Sequence, residues 1–218
     1  MYELIVFDWD GTLMDSEATI VYCLQMAARD LGVTEPDAQR ARDVIGLGLH
    51  QAVASLFPEA DEPLVDALAQ QYRRHFLQED REPSPLFPGA RELLRELVAR
   101  DYFLAVATGK SRRGLDMELA HTGLGEFFHA TRCADEAFSK PHPQILLDVL
   151  DRLGMDSVQA LMIGDTEYDM QMAANAGSDA IGVSFGVHSA ERLREQGALA
   201  VVDDLQQILH WLDEPRPE

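Results

Sequence analysis

Leu4-Ile5-Val6-Phe7 is a run of four apolar residues with no polar alternation. Such a run predicts a strand covered on both faces, as strands of parallel sheets are. Comparable runs recur at Tyr102 to Ala107, Ala160 to Ile163 and Ala180 to Val183. Between them the apolar positions fall at helical spacing. Residues 90–98 carry one such pattern behind Pro88-Gly89, and Ile145, Leu146, Val149 and Leu150 carry another behind Pro143. Strands alternating with helices predict a doubly wound α/β fold around a parallel sheet.

One long segment breaks the alternation. From Ser16 to about Glu82 the period is helical throughout (Ile20, Leu24, Ala27, Leu31, then Leu64, Leu68, Tyr72, Phe76), and no strand pattern intervenes. The proline-rich stretch 82–88 then reads as a stiff linker. The expected organisation is a core of residues 1–14 and 84–218 and a small all-helical cap of residues 15–83. The cap would sit over the carboxyl end of the first strand. The tail 213–218 is expected to fray.

Open α/β sheets bind ligands at the carboxyl ends of their strands. The first run ends in Asp8-Trp9-Asp10-Gly11-Thr12. Residues two apart in extended chain point the same way, so Asp8 and Asp10 can face one pocket. The second ends in Thr108-Gly109-Lys110 and is expected to lead straight into a helix, offering a hydroxyl and free N–H groups to a phosphate. Ser139-Lys140-Pro141 places a lysine before another helix, and Gly164-Asp165-Thr166-Glu167-Tyr168-Asp169 follows the third run. Together these meet the needs of phosphoryl transfer: a nucleophile, neutralisation of the phosphoryl oxygens, and a proton for the leaving alkoxide. A carboxylate can serve as the nucleophile, forming an aspartyl-phosphate. Asp8, Asp165 and a carbonyl of Asp10 would hold a hard cation, Thr108 and Lys140 would bind phosphate oxygens, and the Asp10 carboxyl would act as acid and then base.

In order and spacing, Asp8-Trp9-Asp10-Gly11-Thr12-Leu13, Thr108, Lys140-Pro141 and Gly164-Asp165-Thr166 with Asp169 resemble the four motifs of the haloacid dehalogenase superfamily. The resemblance spans essentially the whole chain. It implies a Rossmann-like core and a helical cap of the kind found in phosphoglycolate phosphatases and beta-phosphoglucomutases. It also implies Asp8 as the nucleophile, Asp10 as acid and base, and Mg²⁺ as cofactor, held by Asp8, the Asp10 carbonyl and Asp165, with Asp169 around the metal as ligand or support. A true dehalogenase lacks the second aspartate. Gly46-Leu47-Gly48 in the cap resembles the substrate-specificity loop of phosphoglycolate phosphatases. Gly109 departs from the pattern, because many relatives carry asparagine there. The expected activity is hydrolysis of a small phosphorylated metabolite, phosphoglycolate being the leading candidate. A phosphosugar mutase sharing all four motifs is the main alternative, and a non-catalytic binding protein on the same fold a second.

Composition adds limits. The net charge of −20 argues against nucleic acid or anionic membrane as partner. It also means that local cations must overcome the field of the whole molecule to admit a phosphate ester. No apolar stretch approaches the roughly 20 residues of a membrane span, and the first residues lack the flank of a signal peptide. Cys23 and Cys133 read as free core thiols, which suits a reducing cytoplasm. Arg112, Arg113, His50, His142 and His188, with Met170 and Met172, read as surface or core, and no cysteine–histidine spacing suggests zinc. Monomer and homodimer remain equally compatible.

Overall fold

The computed structural model describes residues 2–78 and 82–214. Among them are six strands: β1 (Leu4–Phe7), β2 (Phe103–Thr108), β3 (Ala130–Cys133), β4 (Ala160–Gly164), β5 (Asp179–Val183) and β6 (Val201–Val202). They form one sheet in the order β3-β2-β1-β4-β5-β6, with every pairing parallel. Helices α1 (Glu17–Asp30), α2 (Ala38–Asp43), α3 (Leu49–Leu56) and α4 (Glu62–Phe76) separate β1 from the rest. The remainder are α5 (Ala90–Ala99), α6 (Arg112–Thr122), α7 (Gln144–Leu153), α8 (Glu167–Ala176), α9 (Ala190–Glu195) and α10 (Gln207–Asp213).

The unbroken apolar runs are explained by two covered faces. Ile5 and Phe7 point to one side, where Leu93 and Leu97 of α5 and Ile208 of α10 meet them. Leu4 and Val6 point to the other, against Ile145 and Val149 of α7, Met170 of α8 and Leu193 of α9. Each such aliphatic side chain contributes about 1.5–3 kcal/mol on burial. Two strands carry no clear pattern in the sequence. In β3, Ala-Thr-Arg-Cys mixes polar with apolar because it is an edge strand whose Thr131 and Arg132 are only partly buried. At the other edge, β6 is two residues long.

The central strand β1 lies between β2 and β4, so the chain leaves it in opposite directions. The resulting crevice opens at the carboxyl ends of these three strands. The helical segment has an apolar cluster of its own, including Leu24, Ala28, Val53, Val65 and Leu68. The two connections that join it to the sheet run side by side. Asp15 N donates to Pro85 O at 2.9 Å and Phe87 N to Leu13 O at 3.0 Å. Residues 215–218, where fraying is expected, lie outside the described residues. No helix among the described residues is long and apolar enough to cross a membrane.

Candidate active site

Asp8 follows β1 directly, and its N–H donates to Ile163 O at 2.9 Å, carrying the ladder one residue past the strand. The chain then turns at Gly11, whose φ of +78° favours glycine. Space requires glycine as well, since a Cβ there would lie 2.1 Å from Asp165 Oδ2. Asp165, just after β4, accepts from Thr12 Oγ1 at 2.9 Å and from Val187 N at 2.9 Å. Asp169 stands in the first turn of α8 in a capping box with Thr166, accepting from Thr166 N at 3.0 Å and Thr166 Oγ1 at 2.7 Å.

These three aspartates converge. One carboxylate oxygen from each of Asp8, Asp165 and Asp169 lies within 4.8 Å of the others, and all three residues are buried. Among the described residues a single cation meets them. Lys140, fully buried, places Nζ 3.0 Å from Asp8 Oδ1 and 2.6 Å from Asp169 Oδ1. Trp9 N also donates to Asp8 Oδ1, at 2.7 Å, while Asp8 Oδ2 is buried with no hydrogen-bond partner. Burial pushes the Asp8 carboxyl up to about 7; Lys140 pulls it back, and Asp169 and Asp10 add to the rise. Burial likewise lifts Asp165 well above the usual carboxylate range, with Asp169 and Asp8 reinforcing it. Burial pulls Lys140 down, but Asp169 and Asp8 outweigh it and hold the ammonium at about 12. Three buried carboxylates against one ammonium, with an orphaned carboxylate oxygen among them, fit a hard divalent cation.

Asp10 lies beside this cluster in a second network. Its carboxylate accepts from Lys110 Nζ at 2.8 and 3.0 Å and from the Ser16 hydroxyl. Lys110 also pairs with Glu118 at 3.1 Å, and Glu118 accepts from the Trp9 indole. Its ammonium lies 4.4 Å from the centre of the Phe76 ring on α4. Sequence reasoning left Lys110 without a role. A signal was present, because the chain has only two lysines, Lys110 and Lys140. Both are buried in this site. Every other basic side chain is arginine or histidine.

Thr108 ends β2, fully buried, and its hydroxyl accepts from Lys110 N at 3.3 Å. The helix expected immediately after it begins only at Arg112, capped by Ser111, whose hydroxyl accepts from Gly114 N at 3.2 Å. The intervening Gly109 explains its own departure from the family pattern. A Cβ at 109 would lie 2.4 Å from Gly46 O and 2.7 Å from Leu47 O, so the helical segment's loop sits directly on that backbone. The same loop reaches the end of β4 and the segment before Lys140. A Cβ on Gly46 (φ +98°) would come 2.9 Å from Thr166 Oγ1, and Gly48 N donates to Ser139 Oγ at 2.7 Å. Gly46, Leu47 and Gly48 are therefore brought to the site together with Asp8, Asp10, Thr108, Lys140, Asp165 and Asp169. Elsewhere, Arg112 pairs with Asp116 and Glu136 on the outer surface, and Cys23 and Cys133 are buried thiols outside any disulfide.

Residues 5–183 match the family model described as haloacid dehalogenase-like hydrolase. The chain belongs to that family. Among its curated relatives, the probable phosphatase IndB of Dickeya dadantii is 36% identical over 96% of this chain and 93% of its own. A phosphoglycolate phosphatase of Rhodospirillum rubrum is 30% identical over 100% of this chain and 93% of its own. A crystal structure of a predicted phosphatase from Clostridium acetobutylicum superposes with a TM-score of 0.88 at 26% identity, covering 97% and 98% of the two chains. Membership makes the protein a hydrolase, and these relatives place it among the family's phosphatases, the phosphoric monoester hydrolases.

In this haloacid dehalogenase-like hydrolase three consequences can be measured. Gly109→Ala should drive the 46–47 loop off its seat and lower kcat/KM by about 10²-fold, the usual cost of a displacement near 1 Å. Unchanged kcat/KM in steady-state assays would show that the contact is dispensable. Lys110→Met leaves Asp10 and Glu118 without their shared cation and should cost about 3–5 kcal/mol in urea unfolding. Adding Glu118→Gln should return part of that loss. The raised Asp8 and Asp165 mean that the folded state keeps protons which the unfolded chain releases above its ordinary carboxylate range. Raising pH from about 4 to above 7 therefore costs the metal-free protein stability, and a divalent cation binding the ionised forms offsets that cost. Thermal melts should show a larger Mg²⁺-induced rise in Tm at pH 8 than at pH 5. Equal rises would contradict the linkage.

Proposed function

We propose that this hydrolase is a Mg²⁺-dependent phosphatase that removes phosphate from a small phosphorylated metabolite through an aspartyl-phosphate on Asp8. One observation carries the reading. Asp8 lines the pocket between sheet and helical segment, with Oδ1 held by Lys140 and Trp9 N and Oδ2 left without a partner. A carboxylate so held keeps one oxygen available for attack.

Asp8 Oδ2 forms a bond to phosphorus as the bond from phosphorus to the ester oxygen breaks. Asp10, anchored by Lys110 and Ser16, gives its proton to the departing alkoxide. It then takes a proton from the water that attacks the acyl-phosphate, releasing inorganic phosphate and restoring the Asp8 carboxylate. Lys140, Thr108 and the Gly109 backbone meet the phosphoryl oxygens. Asp8, the Asp10 carbonyl and Asp165 would hold Mg²⁺, which when bound neutralises charge on the transferring group. Asp169 belongs around the metal too, and since Lys140 and Thr166 engage both its oxygens, it orients that lysine. Residues 15–83 act as the cap that excludes bulk water over the core of residues 1–14 and 84–218. Two buried cysteines outside any disulfide suit a reducing cytoplasm.

Replacing Asp8 by asparagine keeps the shape and removes the nucleophile. Asp8→Asn should lower kcat by at least about 10³-fold in saturating Mg²⁺ with a native circular dichroism spectrum. Substantial Mg²⁺-dependent turnover by that folded variant would remove Asp8 from this role.

A further inference from the structure

Beyond the phosphate end, the pocket has a wall of a different kind. Of the residues from the helical segment that line it, only Tyr72 and Arg73 carry a polar group on the side chain. The rest is hydrocarbon or backbone, with Ile20, Leu24 and Leu49 typical. Tyr72 and Phe76 stand one turn apart on α4 with their rings stacked, centres 5.7 Å apart and planes 13° from parallel. Arg73 is exposed at the pocket's edge. No carboxylate or carbonyl among the described residues engages its guanidinium, although the chain carries 38 acidic residues. Arg29, Arg42, Arg100, Arg112, Arg132 and Arg192 have acidic partners; among the described residues Arg95, Arg113, Arg152 and Arg194 have none either, but of all these arginines Arg73 alone lines this pocket. An arginine at the rim of the pocket with no acidic partner among the described residues is a candidate anchor for a ligand anion.

From this we infer that the substrate is a phosphate monoester of an alcohol bearing a flat, mainly apolar ring with a single anionic group at its far end. The ring packs on Leu24, Leu49 and the Tyr72–Phe76 stack, and the anion meets Arg73. A polyhydroxylated sugar would strand its hydroxyls against hydrocarbon, each costing roughly tenfold or more in affinity. A two-carbon acid such as phosphoglycolate would leave the apolar wall uncovered and forgo its contribution to binding. The inference rests on the phosphatase reading above and narrows it.

The test compares phosphate esters of alcohols of similar intrinsic reactivity, with the full chain in saturating Mg²⁺. These are ethyl phosphate, benzyl phosphate and 4-carboxybenzyl phosphate, alongside phosphoglycolate and glucose 6-phosphate. Acetyl phosphate, which needs no contact with the wall, reports the chemistry alone. The expected kcat/KM for benzyl phosphate exceeds that for ethyl phosphate by about tenfold or more, the scale on which hydrophobic pockets discriminate. The carboxylate should add about fivefold again. Arg73→Gln, at an exposed position, should abolish only the carboxylate increment and preserve the ratio of benzyl to ethyl. Phosphoglycolate or glucose 6-phosphate as the best substrate, or benzyl phosphate no better than ethyl, would overturn the inference while acetyl phosphate turnover upheld the phosphatase reading. No Mg²⁺-dependent turnover of any compound, acetyl phosphate included, would overturn both.

Discussion

The excess of buried negative charge at the carboxyl edge of the sheet is the constraint on which the rest of the site depends. Asp8, Asp165 and Asp169 share one small volume with Lys140, the single counter-ion there among the described residues. Such a group is costly in a folded protein unless something completes it. The surrounding structure is arranged to hold it. β1 and β4 pair in register and deliver Asp8 and Asp165 side by side, Gly11 and Gly164 leave room for the carboxylates that crowd them, and Thr12, Thr166 and Val187 donate to them. Under the proposed function, a hard cation and a phosphoryl group are what would complete it.

A second charge network lies behind the first and links it to the helical segment. Asp10, Lys110, Glu118 and Trp9 form a continuous chain of contacts, and Lys110 also lies against Phe76 of α4. Meanwhile the glycine loop at 46–48 rests on the ends of β2 and β4 and on Ser139. The helical segment thus meets the catalytic edge by backbone packing, by a hydrogen bond and through a buried ammonium. Both lysines of the chain are placed in this interior, where five buried carboxylates (Asp8, Asp10, Glu118, Asp165 and Asp169) still outnumber them.

How much of this the sequence announces depends on the physics of each part. Central strands are covered on both faces, so their unbroken apolar runs are plain to read. Edge strands β3 and β6 are not so covered, and their mixed or very short sequences look like loop. The acidic positions after β1 and β4 could be inferred because ligands collect at strand ends in open sheets. Lys110 was harder, since a lysine two residues before a helix reads as surface by default; only its rarity in this composition marks it. Gly109 could not be explained without coordinates. Its meaning lies in a backbone 63 positions away in sequence, the carbonyl of Gly46.

The central claim is that Asp8 is the group phosphorylated during turnover. It is tested most directly by acid-quenching the enzyme during steady-state hydrolysis of a good substrate and locating the phosphoryl group by peptide mass spectrometry. The account predicts a phosphoryl increment on the peptide containing Asp8, labile to hydroxylamine as an acyl-phosphate is. Sustained turnover with the increment on another residue, or with none on Asp8 at any quench time down to a single turnover, would contradict it.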